Sequence, residues 1–353
     1  MDHEQNHLAR RRRRDCLVRL GVLRLALNAL QSGDLWSAGQ RGLYSQVANE
    51  EVPAFRPLTG IYEPSAIQQL ADGRFLVVED EKDHPLSLIT IGADGSVSSA
   101  ALTASLLQVF SSFWKLDDLE GLAADRAGFV YAITSHSRDD DGHEKKPREK
   151  LVRFRVEGER VVDPKVVNGL KKALTTRHAV LAAAAQVRDV KAGGGLNIEA
   201  LEITPDQQRL LIGFRSPLRD GRALIASLEN PSAVFESDEA PSIAPLLEEL
   251  DLGGHGIRGL AYVPAIGAYL VIGGPPTRDP GDFDLWSWSG QPGATARRVT
   301  VAGLPGFARA EGVSPAVVGG MERIVIVSDD GKREAGRFAS YLLLDTAQLQ
   351  TAI

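Results

Sequence analysis

The polar and apolar positions of this chain change sign at the period of strands rather than helices. In "DDLEGLAADRAGFVYAITSHSR" (residues 117–138) acids lead, an aliphatic run surrounds Gly121, a turn falls near Gly128, and a second apolar run ends in polar residues. Two short apolar runs separated by glycine and aspartate predict an antiparallel hairpin. The same pattern returns in "EPSAIQQLADGRFLVVEDE" (63–81), "NIEALEITPDQQRLLIGFRS" (197–216), "GIRGLAYVPAIGAYLVIGGPP" (256–276) and "RAEGVSPAVVGGMERIVIVSDDGKR" (309–333). One slot, just before a glycine or alanine, carries Ser65, Glu120, Glu199, Arg258 and Glu311 in turn.

Each hairpin precedes a further β-like run: "PLSLITIGADGSV", "KLVRFRVEGERVV", "RALIASLENP", "FDLWSWSG" and "ASYLLLD". A repeat of roughly 50 to 60 residues built from short strands and glycine turns predicts an all-β protein, a β-propeller of antiparallel blades around a channel. Five blades follow directly. A sixth would use strands between Leu43 and Tyr62 with C-terminal residues, or lie in the long gap between the second and third copies. That gap, rich in alanine, leucine and lysine, predicts an α-helical insertion over about 164–192, stopped by Gly193 to Gly195. A second insertion, "SRDDDGHEKKPREK", lacks apolar anchors and reads as an exposed loop with a solvated His143. Trp286 and Trp288 alternate with polar residues, which is strand behaviour and points to packing between blades.

The first 44 residues break the pattern. Arg10 to Arg14 precede an apolar stretch interrupted by Arg19 and Arg24. Three readings stay open: a degenerate export signal, a basic amphipathic helix on a membrane surface, or a disordered extension. Location follows from that choice, exported or periplasmic in the first case and cytoplasmic otherwise. The apolar run is too short for a transmembrane span. Residues 45–353 read as one propeller domain.

Composition removes several function classes. A formal net charge of −6 gives the chain no electrostatic reason to seek nucleic acid, and a single cysteine, Cys16, excludes an internal disulfide framework or a cysteine metal cluster. The chain has no Gly-x-Ser-x-Gly elbow, phosphate-binding glycine loop or His-Glu-x-x-His.

Propeller geometry then gathers the charges. The start of the first strand and the end of the second share one end of a hairpin, so the slot residues should meet Asp80, Asp118, His136, Arg138, Arg215, His255, Asp329, Asp330 and Lys332 around one channel mouth. Glutamates converging near an axis lose hydration and repel one another. Either a hard divalent cation such as Ca²⁺ or Mg²⁺ compensates them, or Arg138, Arg215 and Arg258 do so in a salt-bridge network. With a cation, His136 or Asp330 could move protons in the hydrolysis of a small anionic ester, lactone or phosphate held by Arg138, Arg215, Arg258 and Lys332. Without one, the mouth belongs to a non-catalytic propeller that binds a ligand or protein.

The ordered phrases "DLEGLAAD", "NIEALEITPD", "GIRGLAY" and "IVIVSDDGKR" resemble a bacterial family catalogued as a domain of unknown function, from about Leu58 to the C-terminus. That resemblance implies a propeller-like β fold and no activity. "DLEGLA" is also distantly similar to esterase-like and phytase-like propellers, and the slot to that of gluconolactonase-type propellers. The last likeness implies Glu120, Glu199 and Glu311 as metal ligands, and Arg258 departs from it.

Overall fold

The computed structural model describes residues 52–80, 85–103, 112–189, 193–278, 280–307 and 309–351. The basic segment 1–44 lies outside the described residues. Short apolar runs between glycine turns do form strands, and the strands assemble into five antiparallel blades.

After a two-residue strand β1 (Arg56–Pro57), the first blade contains β2 (Pro64–Gln69), β3 (Phe75–Glu79), β4 (Leu86–Ile91) and β5 (Val97–Ala101). The second contains β6 (Leu119–Ala124), β7 (Val130–Thr134), β8 (Leu151–Glu157) and β9 (Arg160–Val167). Two helices follow, α1 (Leu170–Arg177) and α2 (Ala179–Gln186). The third blade contains β10 (Asn197–Ile203), β11 (Leu210–Ser216), β12 (Ala223–Leu228) and, after α3 (Pro231–Glu236), β13 (Glu248–Leu250). The fourth contains β14 (Gly256–Val263), β15 (Ala268–Gly274), β16 (Asp284–Trp288) and β17 (Arg297–Val301). The fifth contains β18 (Ala310–Val318), β19 (Met321–Ser328) and β20 (Ser340–Leu344). A last strand, β21 (Leu349–Thr351), adds to β17.

No sixth sheet forms among the described residues. The segment expected to begin one instead supplies β1, which pairs with β20 and completes the fifth blade, joining the N-terminal end of the ring to its C-terminal end. The helical insertion is also narrower than its composition suggests. Residues up to Val167 pair with β8 as β9, and α2 stops at Gln186, ahead of the glycines.

Apolar side chains do not share one central core. Five buried clusters occur, each between successive blades. Trp288 is buried in the cluster between blades three and four, with half-buried Trp286 packed on it, which is the packing role read from their alternation. Leu170, Leu174 and Leu181 of the inserted helices join the cluster between blades two and three, so the insertion is fastened to the propeller by its own leucines.

The slot has a backbone cause. In every innermost strand the ladder to the second strand skips one residue: between Pro64 and Ala66, Leu119 and Gly121, Ile198 and Ala200, Ile257 and Gly259, and Ala310 and Gly312. The skipped residues are Ser65, Glu120, Glu199, Arg258 and Glu311. A β-bulge re-aims one side chain and bends its strand, and here it does so five times at one level of the ring. The small residue after each bulge faces the next blade. A Cβ on Gly259 would stand 2.3 Å from the Glu311 carbonyl oxygen, and one on Gly312 would stand 2.9 Å from Ala66 Cα, distances that real Cβ atoms do not show.

Candidate functional site at the channel mouth

The five bulges bring the slot side chains together at the starts of the innermost strands, all of them buried. Arg258 links two of the acids. One of its terminal nitrogens stands 3.0 Å from Glu199 Oε2, a charge contact without hydrogen-bond geometry, and the other donates to Glu311 Oε1. Arg215 donates to Glu199 Oε1 at 3.0 Å, and Asn197 Nδ2 donates to the same oxygen at 2.8 Å. Arg215 is held in turn by the carbonyls of Pro275 and Thr277 at 3.1 and 2.5 Å. Charge therefore alternates along Glu311, Arg258, Glu199 and Arg215. This is an internal compensation of the kind weighed from the sequence, supplied by blades three, four and five.

Glu120 stands outside that chain. Among the described residues its carboxyl has neither a hydrogen-bond nor an ion-pair partner. Burial, then the charges of Glu199, Asp118, Asp80 and Glu311, hold its pKa well above the usual carboxylate range, which favours its protonated form. Beside it Asp80 stands at an exposed strand end, yet loss of hydration around its carboxyl, and then Asp118, to whose carboxyl it is hydrogen-bonded, push it up to about 8. Asp118 accepts from the hydroxyls of Ser135 and Ser137 and lies 3.1 Å from Arg148. Asp80 therefore keeps its proton at neutral pH. On the adjoining fifth blade, burial and Glu63 raise Asp329 to about 6. Burial also pushes Glu311 up, but the Arg258 guanidinium against its Oε1 opposes that shift and favours the charged form.

Other residues expected at this mouth are turned elsewhere. His136 is fully buried, its Nδ1 lies 2.8 Å from the Thr134 carbonyl, and burial depresses its pKa to about 4. Since Nδ1 must donate to that carbonyl, Nε2 is the unprotonated nitrogen, and it has no hydrogen-bond partner among the described residues. Arg138 points at the inserted helices, with the Ala185 carbonyl of α2 accepting from it at 3.1 Å and Glu144 at 3.2 Å. Asp330 accepts from Ser340 Oγ at 2.7 Å. Lys332 is exposed beside Glu334, and His255 lies 3.8 Å from Asp284.

Among the described residues, one trio of His, Asp and Glu has ligand atoms mutually within 4.8 Å, and it is Asp139, Asp141 and His143 in the charged loop, where Lys145 already pairs with Asp139. Glu120, Glu199 and Glu311 do not form such a trio, and Arg258 lies against two of them. The charged loop is itself less free than its composition implies. Arg148 pairs with Asp117 and Asp118, and the buried Lys150 donates to the carbonyls of Ser112 and Lys115. Arg148 was not anticipated as part of the mouth, because nothing in a run of mixed charges marks which one turns inward.

With the ring and its ordered motifs in place, the comparison with known families is specific. Residues 160–333 match the family model of a protein of unknown function (DUF3616). This bears out the resemblance to a domain-of-unknown-function family read from the motifs. The DUF3616 stretch holds Glu199, Arg215, Arg258 and Glu311, the whole of the alternating chain, whereas Glu120, Asp118 and His136 precede it. No curated protein matches this chain. Among solved structures, the PQQ-bound aldose sugar dehydrogenase of Streptomyces coelicolor is similar with 16% identity and a TM-score of 0.42, over 83% of this chain and 98% of its own. The PQQ domain of a pyranose dehydrogenase from Coprinopsis cinerea is similar with 9% identity and a TM-score of 0.43, over 82% and 95%. These likenesses lend no residue a role. Among the described residues no helix is long and apolar enough to cross a membrane.

Proposed function

We propose that this chain is a ligand-binding propeller in which the chain of Glu311, Arg258, Glu199 and Arg215 is structural, and Asp80, Asp118 and Glu120 form the face offered to a small ligand. Arg258 carries this reading: lying against Glu199 and Glu311, it gives both carboxylates a counter-charge from the protein itself. A divalent cation at those glutamates would have to displace it. Arg138, Arg215 and Arg258 are likewise engaged by carbonyls or carboxylates, which argues against an anionic ligand at this mouth. The carboxyls of Asp80, pushed up to about 8, and of Glu120, raised by burial, favour protonated forms that donate as well as accept a hydrogen bond, a match for hydroxyl or amide groups. The test is metal analysis of the purified full chain, with thermal unfolding before and after chelation. We expect no stoichiometric Ca²⁺ or Mg²⁺ and an unchanged Tm. A bound ion whose removal lowers Tm, and whose affinity falls in Glu199→Gln, would overturn the structural role of the network.

A second reading, hydrolysis of a small ester, lactone or phosphate, is favoured by one observation, the hydrogen-bonded pair of Asp80 and Asp118. A carboxyl pushed up to about 8 and hydrogen-bonded to a second carboxyl is an arrangement suited to general acid–base work. Turnover of p-nitrophenyl acetate or a simple lactone that is lost in Asp80→Asn and kept in Lys332→Ala would favour this reading over simple binding.

A further inference from the structure

The innermost strands have two ends, and their second ends surround a cavity. Its volume is about 370 Å³, within the range of small-molecule sites, and every innermost strand or its following turn contributes to the wall. Glu202 is three residues beyond Glu199 on β10, about 10 Å along the strand, so this cavity is separate from the acidic mouth.

Its walls combine apolar and polar side chains. Pro205, Pro264 and Pro315 present rings and no amide N–H, and half-buried Tyr262 is fixed by an edge-to-face contact with Tyr269 at 5.2 Å. Four polar side chains converge on this lining: Gln68, Arg126, Glu202 and Gln207. Arg126 is held at the rim by the Pro205 carbonyl, which accepts from its guanidinium at 2.9 Å, and by Gln207 Oε1, which accepts from its backbone N–H at 2.9 Å. No carboxylate pairs with Arg126 among the described residues, although acids outnumber bases in the chain. Glu202 is buried, and its two oxygens accept the backbone N–H groups of Ile203 at 2.8 Å and Tyr262 at 3.3 Å.

We propose that this cavity binds a small carboxylate with a flat apolar body, the ring lying against the prolines and Tyr262 and the carboxylate meeting Arg126 and the carboxyl of Glu202. A planar guanidinium suits a carboxylate, and the proline walls suit a ring. Burial raises the pKa of Glu202 to about 8, so at neutral pH it keeps a proton that it can donate to the guest rather than a charge that would repel it.

Benzoate, with benzamide as its uncharged counterpart, is a suitable probe pair for calorimetric titration of the full chain. Benzoate should bind at least about tenfold more tightly than benzamide, the difference expected for one charge-assisted contact. Arg126→Gln, an exposed position, should remove that preference without changing Tm. Filling the cavity with Ala124→Trp should abolish binding of both probes, and Glu120→Gln at the other mouth should leave both intact. Failure of benzoate to bind, equal benzoate affinity in Arg126→Gln, or binding that survives Ala124→Trp would each overturn the proposal.

Discussion

Two kinds of residue set the local physics of the ring. Glycines after the bulges let neighbouring innermost strands touch, and their replacement has a cost that the turn glycines do not share. Gly259→Ala forces a Cβ against the Glu311 carbonyl and should destabilise the protein by about 1–3 kcal/mol, the range for overpacking, as read from chemical denaturation. Gly128 is different: at φ +83° in the turn between β6 and β7 it has open space, so only the left-handed backbone resists substitution. Glu202 is the second kind. Its pKa is raised from the ordinary 4.5 to about 8, so the folded state holds the proton more tightly than the unfolded one. Its contribution is therefore intact below pH 4.5 and erodes as pH rises toward 8, by up to about 1.4 kcal/mol per pH unit. The Tm of Glu202→Gln relative to the parent should accordingly improve from pH 5 to pH 8. A difference that stays constant with pH would show that Glu202 is ionised in the folded protein.

Between elements, Arg258 does what no single strand can. It stands on β14 and neutralises acids on β10 and β18, so three blades share one buried charge network. Removing one partner of a buried pair leaves the other uncompensated. Arg258→Met should cost about 3–5 kcal/mol, and adding Glu199→Gln and Glu311→Gln should restore most of it, because the charges left behind account for the loss. The triple variant remaining as unstable as the single one would mean that Arg258 acts through packing, including its place over the Phe283 ring. The inserted helices show a similar dependence on neighbours. Their leucines are buried only because blades two and three offer a shared surface, and Arg138 is drawn to the carbonyl end of α2, where a cation is favoured.

For the molecule as a whole, closure matters more than any one blade. A strand with unpaired backbone groups is a liability, and β1 covers β20 across the join between the two ends of the ring. A chain beginning at Leu58 should therefore keep its blades but lose thermal stability and gain a tendency to associate, measured by Tm and light scattering.

The repeat and the slot were legible in the sequence because strand periodicity and glycine placement are local properties: Glu120, Glu199, Arg258 and Glu311 could be aligned without coordinates. Five third strands could be placed for the same reason. Blade number could not be fixed, since a two-residue strand such as Arg56–Pro57 has no periodicity and exists only by pairing with a distant partner. The fate of each charge was also undecided. Which arginine reaches which glutamate depends on neighbours brought together by ring closure, and so does the turning of Arg148 inward and Arg138 outward. The cavity at the far mouth was missed altogether, because Glu202, Tyr262 and Pro315 lie on separate strands and look like ordinary strand residues until the five strand ends meet. Local pattern determined the repeating unit of this protein, and long-range packing decided its closure, its charge pairing and its second cavity.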